Sequence, residues 1–351
     1  MANLNPTITA SIITATLALI GTIISLIWNY FSNKKSQREI EILKSNLADQ
    51  EAERDARRDY IYEAKKRLYK ECEPLIFQLT ETAENFLHRV YSLARSARKG
   101  SISINCEGWL SHKGYYLAST IYHLLSPLAI YRLIQKRLTL VDLSVDPRIK
   151  AQYLLAKQLY FAFTDDFEFA RINTKLAYDP NVSDWIIERD LHPAKCWRQG
   201  FPIGLLDIAV DSLLTSENDN KYRLKNFGEF EKDFYEELEV ERVKNSLIAK
   251  GKKRTVLVAD VFLGFHPLSR PVLWRVLVTQ AQICKVLIKI SELEYDQDIP
   301  SLLQYLDIHK DDLKYFEWRD KKETYPDSEV YEVPFNVAKS YLIHKLGFLF
   351  R

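Results

Sequence analysis

The sequence predicts a mainly α-helical protein: one amino-terminal transmembrane helix, a charged helical stalk, and a predominantly helical soluble domain with one or two short strands. Three observations predict it. Ile8–Trp28 runs for 21 residues without a charged side chain. Ser36–Glu73 is half charged and contains neither Gly nor Pro. From Leu75 onward, apolar residues recur at helical rather than alternating spacing over most of the chain.

At about 1.5 Å of rise per helical residue, Ile8–Trp28 is about 30 Å long, the thickness of a bilayer's hydrocarbon core. Two rival readings fit less well. A secretory signal has a basic start, a shorter apolar run and small residues at its end; here Met1–Thr7 has no Lys or Arg, and Trp28, Asn29, Tyr30 and Phe31 follow. A buried core helix can also be apolar on every face, but this run is flanked by interfacial aromatics and then Lys34, Lys35 and Arg38, which fits a bilayer better. The expected division is 1–33 for the amino-terminal segment and span, 34–73 for the stalk, and 74–351 for the domain.

The stalk is built of strong helix formers. Ile40, Leu47, Ile61, Leu68 and Leu75 share one seven-residue register, with Leu43 and Ala64 three places on. Arg54 falls at a core-type position of that register, and Gln50, Arg57 and Glu71 at its companions, so any coiled-coil seam is interrupted in the middle. A solvated helix is the plainer reading, with weak self-association through stalk and span as the alternative. Within the span, Ser11, Ala15, Ala18, Thr22 and Ser25 form a small-residue seam that lets helices approach closely.

Leu75, Leu79, Phe86, Leu87 and Val90 continue the helical pattern to Arg95, Arg98 and Lys99, with Gly100 as the stop. Ser101–Cys106 alternates and reads as a short strand. Tyr115–Leu138 follows helical spacing through Leu117, Ile121, Leu124, Leu125, Leu128 and Tyr131, with a kink expected at Pro127. It is the one rival for a second span, but His123 and Arg132 favour a core helix. Asp146-Pro147 is a helix start, and Ile149, Tyr153, Ala156, Tyr160, Phe163 and Phe167 form a core stripe behind it.

Asn181–Gly204 is turn-rich and reads as a loop with one short helix. Ile203–Leu214 reads as a short apolar helix, Glu217–Lys221 as a polar break, and Glu229–Ile248 as a charged helix with Phe230, Phe234, Leu238 and Leu247 facing inward. Thr255–Phe262, rich in Val and Leu, reads as a buried strand. The helix from Pro271 to about Ile290 has one narrow polar stripe, Arg275, Gln282, Lys285 and Lys289, and is expected at the centre of the core. The tail Phe335–Phe350 is amphipathic, either packed on the body or lying against a membrane surface.

The composition narrows the function classes. Forty-nine basic against 47 acidic residues leave a net charge of +2, so no global field argues for nucleic acid or another polyanion. Cys72, Cys106, Cys196 and Cys284 form no framework, which suits a reducing compartment. The sequence has no phosphate-binding glycine loop, nucleophile elbow, zinc-protease motif or kinase set.

Asp165, Asp166 and Glu168 cluster on a helical segment and are the only candidate catalytic group, since grouped carboxylates hold Mg²⁺ through oxygen. A metal site needs a second converging acidic segment, and a face paired to Arg171 is the plainer reading. His192 and Cys196 stand four apart, the spacing of zinc ligands on a helix, but no second pair accompanies them. Lys250, Lys252, Lys253 and Arg254 form the most basic turn and are the candidate contact for anionic lipid headgroups; a solvated turn is the plainer alternative.

The expectation that results is a single-pass protein of the cell membrane, acting by binding a partner protein as adaptor, sensor or effector, with no cofactor and no nucleic acid. The alternative is a membrane-associated metal-dependent hydrolase or transferase that uses the acidic cluster. Lys34, Lys35, Arg38 and Lys44 follow the span while Met1–Thr7 carries no basic side chain, which places the amino terminus outside and the domain in the cytosol. In that orientation the sequon Asn181-Val182-Ser183 is never glycosylated.

Overall fold

The computed structural model describes residues 6–102, 108–111, 114–138, 142–171, 198–218, 221–244, 256–293, 314–319 and 333–347. The chain is mainly helical, and it divides into two units, Met1–Ala64 and Lys65–Arg351.

Helix α1 runs from Pro6 to Arg98, 93 residues. Its only interior breaker in the charged half is Pro74, which lacks the N–H that would bond the Lys70 carbonyl. Pro74 and Lys70 are both exposed, so water replaces the lost bond and the helix continues. Every residue of 10–63 is exposed, whereas from Leu68 onward one face is buried. Leu68, Cys72, Leu75, Leu79, Ala83, Phe86 and Val90 recur at three- and four-residue steps and are each no more than 8% exposed.

The second unit packs α2 (Tyr115–Arg137), α3 (Pro147–Ala162), the short α4 (Asp166–Arg171), α5 (Ile203–Ser212), α6 (Phe227–Lys244), α7 (Val256–Phe262), α8 (Pro271–Glu292) and α9 (Val333–Leu346) with the last third of α1. Two helices organise it. Helix α2 touches α3, α5, α6 and α7, and α8 touches α3, α4 and α9. Helix α2 is continuous through Pro127, and the Ser126 hydroxyl donates to the Tyr122 carbonyl at 2.5 Å. Side-chain bonds tie α1 to the body: Arg89 to Ser119 at 2.5 Å, Tyr116 to Ser92 at 3.0 Å, Arg137 to Glu71 at 2.8 Å, and Tyr69 to Asp146 at 2.8 Å. Asp146 also caps α3 by accepting from the Ile149 amide, with Pro147 at the first helical position.

Three readings of the sequence change, and a fourth lies largely outside the described residues. Val256–Phe262 is helix α7 rather than a strand. Alternation would have put Asp260 on the same face as Val258 and Phe262; the helical turn instead buries Val258, Val261 and Phe262 together and turns Asp260 away. The polar break at Glu217–Lys221 lies inside a hairpin, β1 (Leu214–Asn218) against β2 (Lys221–Leu224), antiparallel and bulged between Ser216 and Asn218. The stripe along α3 ends with the helix at Ala162, so Phe167 sits on α4, 42% exposed. Of Ser101–Cys106, Ile102 forms an isolated bridge with Gly108, and 103–107 lie outside the described residues.

The tail helix α9 buries Phe335, Val337, Tyr341 and Leu342 and packs on α8, the first of the two placements expected for it. Helix α6 begins with a reciprocal cap: the Glu229 amide donates to Asn226 Oδ1 and the Asn226 amide to Glu229 Oε2, both at 2.9 Å. Phe230 and Phe234 are buried behind it. Leu247 and residues 181–197 lie outside the described residues.

Candidate functional site

Three helices among the described residues are long and apolar enough to cross a membrane by length and composition: α1 near its amino terminus, α2 and α8. In α2 and α8, 83% of the apolar window is buried inside the protein; in α1 none of it is. Leu17 is 64% exposed, Ile20 50%, Ile24 61% and Leu26 69%, so none of the described residues covers this stretch.

Four of its hydroxyls are satisfied within the helix itself. The hydroxyls of Ser11, Thr14, Thr16 and Thr22 donate to the carbonyls of Thr7, Ala10, Ile12 and Ala18, at 3.0, 2.8, 2.6 and 2.8 Å. Back-bonding of this kind spends a hydroxyl on a carbonyl one turn earlier, which removes the cost of placing it in hydrocarbon. At the far end Tyr30 meets Phe31 edge-on with centroids 5.7 Å apart, and the Lys34 ammonium lies 5.9 Å from the Tyr30 ring. Trp28 is 76% exposed. Apolar run, aromatic belt and then basic residues is the order of groups met on leaving a bilayer. Lys35, Arg38 and Lys44 are exposed beyond it, with Lys35 within 4.0 Å of Glu39.

The acidic cluster separates in three dimensions. Asp165 accepts from the Tyr341 hydroxyl at 2.5 Å and pairs with Lys345 at 3.2 Å, both on α9. Asp166 turns the other way into the body, where its carboxylate accepts from the Gly200 and Phe167 amides, each at 3.0 Å. Burial pushes the Asp166 carboxyl above the usual carboxylate range, and the Gly200 amide opposes that shift. Gly200 is required there, because a Cβ would lie 2.1 Å from the Phe163 carbonyl oxygen. Glu168 faces Arg171 at 3.6 Å, as the sequence suggested. Three neighbouring carboxylates thus end on three separate sets of partners. Among the described residues, no group of three or more His, Cys, Asp or Glu side chains stands close enough to hold a metal ion.

The structure also brings together polar groups that the sequence did not single out. The first free amides of α8, at Val272 and Leu273, both donate to Gln199 Oε1 at 3.0 Å, so a residue some seventy positions earlier caps this helix. Arg270 donates to the carbonyls of Val261 and Leu263, Arg275 to that of Phe169 at 2.9 Å, and Gln280 to that of Leu159 at 2.8 Å. Burial lowers the Arg275 guanidinium to about 10. These side chains join α8 to α3, α4 and α7. No spacing in the sequence announces the bonds of Gln199, Arg275 and Gln280, since each joins a side chain to backbone far along the chain.

Burial shifts two thiols and two histidines among the described residues. The Cys72 thiol is raised to about 11, chiefly by burial and then by Glu71, and burial raises Cys284 well above its ordinary value. Protonated thiols are poor nucleophiles. Burial lowers His123 to about 4, aided by Arg89, and lowers His266 to about 4. The neutral His266 ring accepts the Leu268 amide at Nδ1, 3.2 Å away, and lies edge-on to Trp318. His192, Cys196, Cys106, Asn181 and the basic turn of Lys250, Lys252, Lys253 and Arg254 lie outside the described residues. No protein-family model, curated protein or solved structure matches this chain.

Proposed function

We propose that this chain is a single-pass protein of the cell membrane that presents a helical cytosolic domain and works by binding a partner protein, as adaptor, sensor or effector. One observation carries the anchor: the most apolar stretch of the chain is the one stretch among the three candidates with none of its surface buried. A run of this length left in water exposes many large apolar side chains to solvent, and a bilayer removes that cost. The internally bonded hydroxyls and the Trp28–Lys34 border support the same reading.

Binding rather than catalysis is supported by how the candidate groups are engaged. Asp165 and Asp166 are held by Tyr341, Lys345 and Gly200, and burial raises the two described thiols, Cys72 and Cys284. The orientation follows from Lys34, Lys35, Arg38 and Lys44 on one side of the span against none in residues 1–7.

The test is made on intact cells or spheroplasts. The chain should resist alkaline carbonate extraction, and its domain should survive external protease until the membrane is opened. Removal of the domain by external protease, with an internal control intact, would place it on the outer face. In-cell cross-linking of the full-length chain followed by mass spectrometry should then capture a defined protein; capture of membrane lipid alone would count against partner binding.

A further inference from the structure

We propose that two copies of this chain pair in parallel and in register through one side of α1 between Ile40 and Ile61, so that the partner of the stalk is a second stalk. The proposal deepens the anchored reading and rests on it for one point, the common membrane that starts both helices at the same level.

Among the described residues nothing covers an apolar stripe on the stalk. Ile40 is 52% exposed, Leu43 60%, Leu47 52% and Ile61 36%. At 3.6 residues per turn these four side chains fall within a sector of about 100°, the width of a helix–helix seam. Along the same continuous helix, Ser11, Ala15, Ala18, Thr22 and Ser25 fall in that same sector of about 100°, so small residues in the span and apolar ones in the stalk share one side.

Charge selects the occupant. In a parallel pair of heptads, the residue just before a core position meets the partner's residue five places further on. With Ile40, Leu47, Arg54 and Ile61 as core positions, Glu39 meets Lys44 and Glu53 meets Arg58. Each pair occurs twice by symmetry. The intervening pair, Asn46 with Glu51, sets no like charges together. Sliding one copy by a heptad replaces the four attractive pairs by two repulsive ones, Glu39 with Glu51 and Glu53 with Glu51, and a single attractive one, Glu53 with Lys65, so charge opposes the wrong register. The existing partners of these residues are the exposed contacts Lys35–Glu39 and Asp55–Arg58, which exchange readily.

Gln50, Arg54 and Arg57 place polar groups in the middle of the seam, so the pairing is held at its two ends and is weak for free helices. Anchoring in one membrane offsets that weakness by raising the local concentration and fixing the direction of both stalks.

The experiment uses the full-length chain in its own membrane. Leu43→Cys and Leu47→Cys place a thiol in the seam; Ser45→Cys and Ala52→Cys place one on the opposite side. Native cysteines remain in every variant, and the unaltered chain is the blank. Mild oxidation should give about ten-fold more disulfide dimer at the seam positions than at the outer ones, because thiols bridge only when their Cα atoms come close. Equal yields at both sets, or a product heavier or lighter than two chains, overturns the proposal. In the Leu47→Cys background, Glu53→Arg alone and Arg58→Glu alone should each lower the dimer by about three-fold, and co-expression of the two should restore it as a mixed pair. Absence of that mutual rescue also overturns it. Carbonate extraction of the same preparation separates the two readings: a chain that stays in the membrane without the seam pattern loses the dimer and keeps the anchor, and a released chain that keeps the pattern does the reverse.

Discussion

Two apolar helices of this chain, the start of α1 and the whole of α8, satisfy the same length and composition test for a membrane span, and their surroundings are opposite. Helix α8 has 83% of its apolar window buried and is met by α3, α4 and α9; the window of α1 has none buried. The difference teaches that apolarity says only that a helix must leave water. What it leaves water for is decided by whether other elements of the chain can cover it. The polar residues differ in the same way: those of α8 reach carbonyls on other elements, such as Gln280 to Leu159, while those of α1 fold back on their own turn.

The comparison breaks most sharply at the centres of the two helices. Leu277 is fully buried, so Leu277→Asp places an unpaired charge in the core and should remove the cooperative thermal unfolding of the chain in detergent, a loss above about 4 kcal/mol. Membrane association should be unchanged in the same variant. A normal melt would show that α8 is not the core of its unit.

The mirror experiment is Leu17→Arg in α1. A basic residue at the middle of a span costs about 2.5 to 3.5 kcal/mol of insertion, so the carbonate-resistant fraction should fall while the domain's melting temperature stays. A chain extracted no more easily than before would remove the span from the account.

Gln199→Ala sharpens the comparison at the entrance to α8. It leaves two buried amides, those of Val272 and Leu273, without their acceptor, and should cost about 1 to 3 kcal/mol in denaturant midpoint. A cost near zero would mean that this cap is dispensable.

The smallest effect is one of pH. Both His123 and His266 are lowered to about 4 by burial, from an ordinary 6.5, so folding favours their neutral forms. Their contribution is present above about pH 6.5 and is lost as pH falls through about 4. Asp166, raised by burial, works in the opposite sense: its contribution is present below the ordinary carboxylate range and is lost as pH rises through its raised value. His266→Gln should therefore flatten the fall in melting temperature between pH 6.5 and 4, leaving the part due to His123. An unchanged slope would show that His266 does not titrate with folding.

The helices were legible where periodicity repeats for several turns. Leu117, Ile121, Leu124, Leu125, Leu128 and Tyr131 are all buried on α2, and Pro147 opens α3 behind its Asp146 cap. Short segments were not. Val256–Phe262 is seven residues, too few for the apolar pattern to separate helix from strand, and its choice followed from burying Val258, Val261 and Phe262 on one face. The hairpin was hidden because β1 and β2 are polar, so their pairing rests on backbone bonds rather than on alternating hydrophobicity.

Local features are written in the order of residues: the uncharged length of Ile8–Trp28, the aromatic and basic residues that border it, the helical character of most of the chain, and the pairing of Glu168 with Arg171. These follow from neighbours within a turn or two, and adjacency in sequence is enough to set them. Only the tertiary structure decided which apolar helices the protein covers for itself, and that Asp165 and Asp166 part company, one to Tyr341 and the other to Gly200. Both outcomes turn on contacts between residues far apart in the chain, where the direction of a side chain depends on the packing of elements and leaves no trace in spacing.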